Sequence, residues 1–488
     1  MPPPLPRHVT EAVTWSAMLG WWQGRSEPAV LAPDVTWSGD ELLRRSAGAG
    51  VHLASLGVPP GTPIPALLTS SPTAFAYVVG GAGRRHPVAP LGPRLTAPEL
   101  AACLAGLGTD VLLTEPEWCA VAREAVARVG GRVVLAEEPK PADSPLDVAP
   151  DPSAVAFVLH TSGTSGTPRA VPYSQGRMAA RVRVNAGLCE LRPGDRYATA
   201  SPFHHIAGFG NYAVALAAGA ALVPVPRFTV EAWRSVAAVG ATHALTVPTV
   251  LEMLLGAGVL GFDTLRVLQY GASPIHPDTL RRTLAAIPHV RLVNIYGQTE
   301  GSPITCLTAG DHDRIARDGA DHLLGSVGTA APGVDLRIDD ADATGVGEVV
   351  ARAQHLFLPD DDGWLRTGDL GRLDADGYLF LVARKGDMII RGGENVYPAE
   401  VEQVLEQHPS VREAAVVGVP DVHWGEVVRA YVVPGAGASP DVEQLRAHVR
   451  SHVAGFKVPT EWRVIEELPR NASGKLLRRS LAKNQLYR

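Results

Sequence analysis

Lysine is nearly absent from this sequence. Only Lys140, Lys385, Lys457, Lys475 and Lys483 occur among 44 basic residues, and arginine fills the rest. Where lysine persists in such a chain, its compact charge on a flexible stem is expected to matter. Cysteine is also scarce. The four present, Cys103, Cys119, Cys189 and Cys306, lie far apart with no CxxC pair. That spacing argues against a disulfide framework and against a cysteine zinc site. No basic run stands out and the net charge is −6, which argues against nucleic acid as a partner. Long apolar runs are missing too. The most apolar stretch, residues 213–225, contains Gly219 and Pro224 and is too short to span a bilayer. The opening Met1-Pro2-Pro3-Pro4 has no basic segment leading into an apolar one, so no signal peptide and no membrane partner are expected, and the expected location is the cytoplasm.

What is present is a long α/β pattern. The 488 residues exceed one ordinary core, so two or three domains are expected. Glycine, proline and alanine are abundant but dispersed, which reads as turns and tight packing. A helix is expected from residue 40 to about 56. Short buried strands are expected at 64–68, 111–113, 133–135 and 155–159. Strands alternating with helices indicate layered α/β architecture with mostly parallel sheets. Residues 139–152, rich in proline, aspartate and serine, mark a surface connection. A second α/β unit is expected over 175–310 and a β-rich subdomain over 325–382. Beyond 387 the chain returns to α/β, with a helix over 398–407 and a strand over 414–419.

The densest chemical signal is Thr161-Ser162-Gly163-Thr164-Ser165-Gly166-Thr167-Pro168-Arg169. Gly163 and Gly166 permit backbone conformations that aim N–H groups at an anion. The hydroxyls add donors without bulk, and Arg169 adds a permanent positive charge. No Gly-Lys-Ser/Thr ends the loop, so it is not a Walker A motif. Taken alone, a serine/threonine/glycine linker has the same composition.

The stretch resembles the phosphate loop of the adenylate-forming superfamily, which contains the acyl-CoA synthetases, with Arg169 in place of the usual lysine and Ala170 in place of the usual glycine. Further segments are similar to that family's motifs, in the family's order. They are Pro202-Phe203-His204-His205-Ile206-Ala207-Gly208, Gly271-Ala272-Ser273-Pro274, Tyr296-Gly297-Gln298-Thr299-Glu300 after a strand ending at Ile295, and Arg366-Thr367-Gly368-Asp369-Leu370. Residues 383–398 and Pro469-Arg470-Asn471-Ala472-Ser473-Gly474-Lys475 complete the series.

The resemblance implies an N-terminal AMP-binding domain over 1–385, with parallel sheets and a β-rich subdomain, and a small mobile α+β domain over 386–488. It implies ATP, Mg²⁺ and coenzyme A (or the phosphopantetheine of a carrier protein) as cofactors. The nucleotide is expected at Thr161 through Thr167, Arg169, Gly271, Ala272, Ser273, Ile295, Tyr296, Gly297 and Thr299. Glu300 is the expected Mg²⁺ ligand, being a hard oxygen donor. Asp369 and Arg384 are expected at the ribose, Gly386 at the hinge, and Gly392, Gly393 and Trp424 beside the acceptor. Lys475, Thr164, Glu300 and His205 are the implied catalytic residues.

The acid pocket is expected to involve His205, Ile206, Ala207, Phe209, Tyr212, Gly271 and Gly297. No aspartate or glutamate lies between Pro202 and Gly219 to hold a substrate ammonium. An aryl or small to medium apolar acid therefore fits better than an amino acid, with a benzoate-type flavour. Coenzyme A is the default acceptor. A carrier protein, an amine or another small nucleophile, and a non-catalytic nucleotide-binding relative remain as alternatives.

Overall fold

The computed structural model describes residues 4–161, 169–358, 362–391, 394–470 and 476–483. The chain divides into two compact units: residues 1–335 with 352–365, and residues 336–351 with 366–488.

In the first unit, two sheets form among the described residues. One has six strands, in the order Arg132–Leu135, Val111–Thr114, Ile64–Leu67, Val88–Leu91, Val155–Thr161 and Arg169–Ser174. All neighbours are parallel except the last pair, a hairpin in which Thr161 faces Arg169. The other sheet has nine strands. At its centre, Arg196–Thr199, His243–Thr246, Val267–Gly271 and Arg291–Gln298 run parallel. Gly301–Leu307 folds back antiparallel on Arg291–Gln298.

The strands Ile64–Leu67, Val88–Leu91, Val111–Thr114, His243–Thr246 and Val267–Gly271 are short and buried along their whole length, as expected where helices cover both faces. Helices start where the sequence supplies caps. The Ser38 hydroxyl accepts from the Glu41 N–H at the start of Gly39–Ser55, and Ser71 accepts from Ala74 at the start of Pro72–Gly83. The core gathers Trp15, Phe75, Phe157, Phe203, Phe209 and Tyr212 into edge-to-face and tilted aromatic contacts 5.0–6.3 Å apart. Trp15 Nε1 donates to Ala213 O at 3.0 Å, fixing the helix Phe209–Ala217 behind the 202–208 segment.

The second unit carries the β-rich segment as a four-stranded sheet, Asp335–Asp339, Gly347–Arg352, Leu365–Leu373 and Leu379–Arg384. Its α+β part is built on the long hairpin Val411–Asp421 and Gly425–Pro434. Alternate residues face opposite sides, as a pleated strand requires. Val416, Val428, Ala430 and Val432 pack with Val401, Leu405, Leu445 and Val449 of the helices Pro398–Glu406 and Val442–His452. Ala415, Val417, Val419 and Tyr431 pack with Leu481. No helix of the described residues is long and apolar enough to cross a membrane.

Candidate active site

Ligands of open α/β sheets bind outside the carboxyl ends of the parallel strands. Three of the motif segments sit there. Thr161 ends its strand at the mouth of the expected phosphate loop. Ser162 through Pro168 lie outside the described residues, but both ends are placed, because Thr161 and Arg169 are register partners. Arg169 is exposed, with its guanidinium carbon 6.0 Å from the Phe357 ring.

Gly271 ends the strand Val267–Gly271, and Ala272 follows with φ at +66°. A non-glycine residue in the left-handed region carries local strain, of the kind that gathers at binding sites. Gly271 is required by close approach: a Cβ there would lie 2.5 Å from Ile295 O on the neighbouring strand. Ile295 is buried, and Tyr296, Gly297, Thr299 and Glu300 are half-buried at the tip of that strand. A Cβ on Gly297 would sit 2.7 Å from the Ser302 Cβ. Both glycines therefore let this edge close up.

The segment 299–303 is held by its carbonyls. The Tyr173 hydroxyl donates to Thr299 O at 2.7 Å, and the Phe357 N–H donates to Glu300 O at 2.7 Å. Arg177 Nη2 also donates to Glu300 O. The Glu300 carboxylate makes no ion pair with a described residue, which leaves a hard oxygen donor open to a divalent cation.

On the acid side, the His204 and His205 rings lie with centroids 4.2 Å apart, tilted at 45° to each other. Burial pushes His205 down to about 4. Burial, the neighbouring His205 and Arg94 push His204 down to about 3. Both rings are neutral at pH 7. Ile206 and Ala207 are half-buried beside them, and Gly208 ends the segment. Phe209 belongs to the aromatic core. Tyr212 is fully buried, its hydroxyl donating to Val223 O at 2.9 Å.

In the second unit, Asp369 and Arg384 face each other on paired strands, with Arg384 Nε 2.6 Å from Asp369 Oδ1. Gly368, at φ +70°, lies within the strand Leu365–Leu373, directly before Asp369. Glu348 holds that backbone: Oε1 accepts from the Gly368 N–H at 3.3 Å and Oε2 from Lys385 Nζ at 2.7 Å. Gly386 sits in a turn closed by the Asp387 N–H on Arg384 O at 2.9 Å, and a Cβ there would meet nothing within 4 Å. Trp424 is 53% exposed at the hairpin tip, under the Arg391 guanidinium at 5.6 Å. Gly392, Gly393 and Lys475 lie outside the described residues.

The AMP-binding enzyme family model matches residues 22–358, and the AMP-binding enzyme C-terminal domain model matches residues 400–475. The chain belongs to the AMP-binding, adenylate-forming enzymes. It is similar to a fatty acid–[acyl-carrier-protein] ligase, ScoC, of Streptomyces coeruleorubidus, 35% identical over 488 residues that span 93% of this chain and 92% of that one. Its fold matches the amide bond synthetase McbA of Marinactinospora thermotolerans with a TM-score of 0.85, 29% identity and coverage of 96% and 99%. It also matches the o-succinylbenzoate coenzyme A synthetase MenE of Bacillus subtilis, solved with ATP and a magnesium ion, with a TM-score of 0.84, 26% identity and coverage of 96% and 99%. With the family come its cofactors, ATP and Mg²⁺, and its chemistry, the activation of an acid as an acyl adenylate.

Sequence reading missed Tyr173, Arg177 and His355, which brace residues 299–303 of the first unit, and separately Glu348, which holds Gly368 and Lys385 in the second. The one available signal was the spacing of Arg177 and Arg181, which puts two cations one turn apart on the same face of a helix.

Proposed function

We propose that the enzyme adenylates an aryl or small to medium apolar carboxylic acid and passes the acyl group to coenzyme A. The observation that carries the acid class is the neutral, carboxylate-free lining at 202–208. Two histidines held uncharged, with no acidic residue through Gly219, give an ammonium no partner and an apolar or aromatic body a compatible wall.

A carboxylate is a poor acyl donor because its leaving group would be oxide. Attack of the acid oxygen on the α-phosphorus of ATP forms a C–O–P linkage and expels pyrophosphate, leaving AMP as the later leaving group. Catalysis here is chiefly positioning and charge stabilisation. In this reading the loop between Thr161 and Arg169 holds the phosphates, Thr299 donates to the α-phosphate, and Tyr296 faces the adenine. Asp369 and Arg384 take the ribose. Glu300 holds Mg²⁺, which supplies Lewis-acid stabilisation of phosphoryl charge when bound. Lys475 meets the acid carboxylate and the α-phosphate as charge shifts between them. The domain over 386–488 then turns about Gly386, so that Lys475 leaves and Gly392 and Gly393 admit the thiol.

The acceptor is the finer part of the proposal, since the three relatives named above are called carrier-protein, amide and coenzyme A ligases. Coenzyme A is supported by Trp424, an exposed aromatic face beside Arg391 where an adenine stacks well. A carrier protein is the second reading. It is favoured by Lys457, whose ammonium is bound by both Glu400 oxygens at 2.7 Å and so is spent before any phosphate arrives. Incubation with ATP, an active acid and either coenzyme A, holo carrier protein or an amine, followed by product analysis, decides. Acyl-CoA as the main product is expected, and exclusive acylation of carrier protein or amine would refute the assignment.

A further inference from the structure

The helix Gln175–Leu188 carries Arg177 and Arg181 one turn apart, 8% and 1% exposed. Among the described residues neither has a carboxylate in ion-pair range. Their N–H groups instead reach neutral oxygens. Arg177 donates to His355 O at 3.1 Å, Pro172 O at 2.7 Å and Glu300 O, and its plane lies 4.1 Å from the Tyr173 ring centre. Arg181 donates to Ser302 O at 2.9 Å, to Gly210 O and to the Asn211 side-chain oxygen at 2.6 Å. His355 Nε2 lies 2.7 Å from Pro303 O; a carbonyl only accepts, so Nε2 carries the proton.

Burying a permanent cation with no carboxylate in ion-pair range is costly even though the Glu300 carboxylate attracts Arg177 from further off, and an apolar residue of similar volume would pack more cheaply. What an apolar residue cannot supply is a rigid fork of donors, and lysine supplies only a point charge. Four carbonyls of one short segment, those of Thr299, Glu300, Ser302 and Pro303, end on side chains from elsewhere in the sequence. Pinned carbonyls fix the peptide planes, and the directions of the Thr299 and Glu300 side chains follow. Arg181 spans two regions: Ser302 adjoins the expected nucleotide contacts, while Gly210 and Asn211 open the helix behind the acid-side segment.

We propose that Arg177 and Arg181 are positioning residues. Arg177 aims Thr299 and Glu300 at the nucleotide and its cation, and Arg181 fixes the spacing between the nucleotide side and the acid side. The inference rests on the role proposed above for Glu300.

The test is acid-dependent exchange of labelled pyrophosphate into ATP with an acid that the wild-type enzyme uses, titrated with Mg²⁺ and with the acid, on full-length variants whose folding is checked by circular dichroism. Arg177→Met is expected to raise the Mg²⁺ concentration for half-maximal exchange about ten-fold and to leave the KM of the acid within about two-fold. Arg177→Lys keeps the charge and loses the fork, so it should fail to restore the wild-type Mg²⁺ response. Arg181→Met should raise the KM of the acid and lower kcat together. Tyr173→Phe, which removes one hydroxyl, should shift the Mg²⁺ response in the same direction by a smaller factor and serves if Arg177→Met does not fold. A folded Arg177→Met or Tyr173→Phe enzyme with the wild-type Mg²⁺ dependence, or full rescue by Arg177→Lys, overturns the inference. Glu300→Gln in the same assay separates the two claims. Loss of the Mg²⁺ response there, with the response intact in the arginine variants, sinks only the positioning role. A wild-type response in Glu300→Gln sinks the reading of Glu300 itself.

Discussion

Glu300 and Ala272 carry opposite kinds of cost. Glu300 is a carboxylate whose backbone is tied down while its side chain stays without an ion-pair partner among the described residues, an arrangement suited to a cation that arrives with the substrate. Replacing it with glutamine keeps the shape and removes the charge, and exchange activity should fall roughly 10²-fold or more at millimolar Mg²⁺. Ala272 holds a left-handed backbone that its Cβ opposes. Ala272→Gly should raise unfolding free energy by up to about 1 kcal/mol, measured by urea titration, and a loss of stability would show that the Ala272 methyl is needed for packing. The motif residues were legible in the sequence because each is proposed to act through its own side chain or its lack of one: a carboxylate for a cation, a glycine for close approach. Arg177, His355 and Glu348 act through partners 20 to 180 positions away, on backbone carbonyls and amides that have no sequence signature.

The two units should respond to pH with opposite sign. In the first, burial holds His160, His243, His312 and His355 at about 4, alongside His205 at about 4 and His204 at about 3. Each is depressed below the ordinary 6.5, so the unfolded chain takes up protons first as pH falls. The stability linked to these rings is complete above about 6.5 and is lost as pH drops toward about 4. In the second unit, Glu406 on the helix Pro398–Glu406 is raised to about 7. Burial is the main cause, partly offset by the Ala414 N–H, with Glu402 and Glu413 adding to the rise. Its contribution is present below about 4.5 and disappears as pH climbs through about 7. Glu406→Gln should therefore stabilise this unit by roughly 1–3 kcal/mol at pH 7.5 and have little effect at pH 4.5, followed by urea unfolding. Equal effects at both pH values would contradict the burial argument.

Elements of this size were largely readable from pattern. The helix expected over 40–56 forms at Gly39–Ser55, and the strand expected over 155–159 extends to Thr161. The extension escaped notice because His160 and Thr161 are polar, and pairing with Ala170 and Arg169 decides their conformation. Strand order was not readable at all: the register of Asp369 against Arg384, which turns two separately expected ribose contacts into an ion pair, depends on a hairpin that composition does not specify.

At the scale of the whole molecule, one site is proposed to serve two half-reactions by turning the C-terminal domain about Gly386. Lys475→Ala should then nearly abolish adenylation while sparing transfer from supplied acyl-AMP to the thiol, and equal loss of both steps would contradict the rotation. The central claim, that this chain makes acyl adenylates, is tested most directly by exchange of labelled pyrophosphate into ATP across a broad acid panel. Exchange that depends on an aryl or small to medium apolar acid is predicted, and the absence of exchange with every acid at saturating ATP and Mg²⁺ would contradict it.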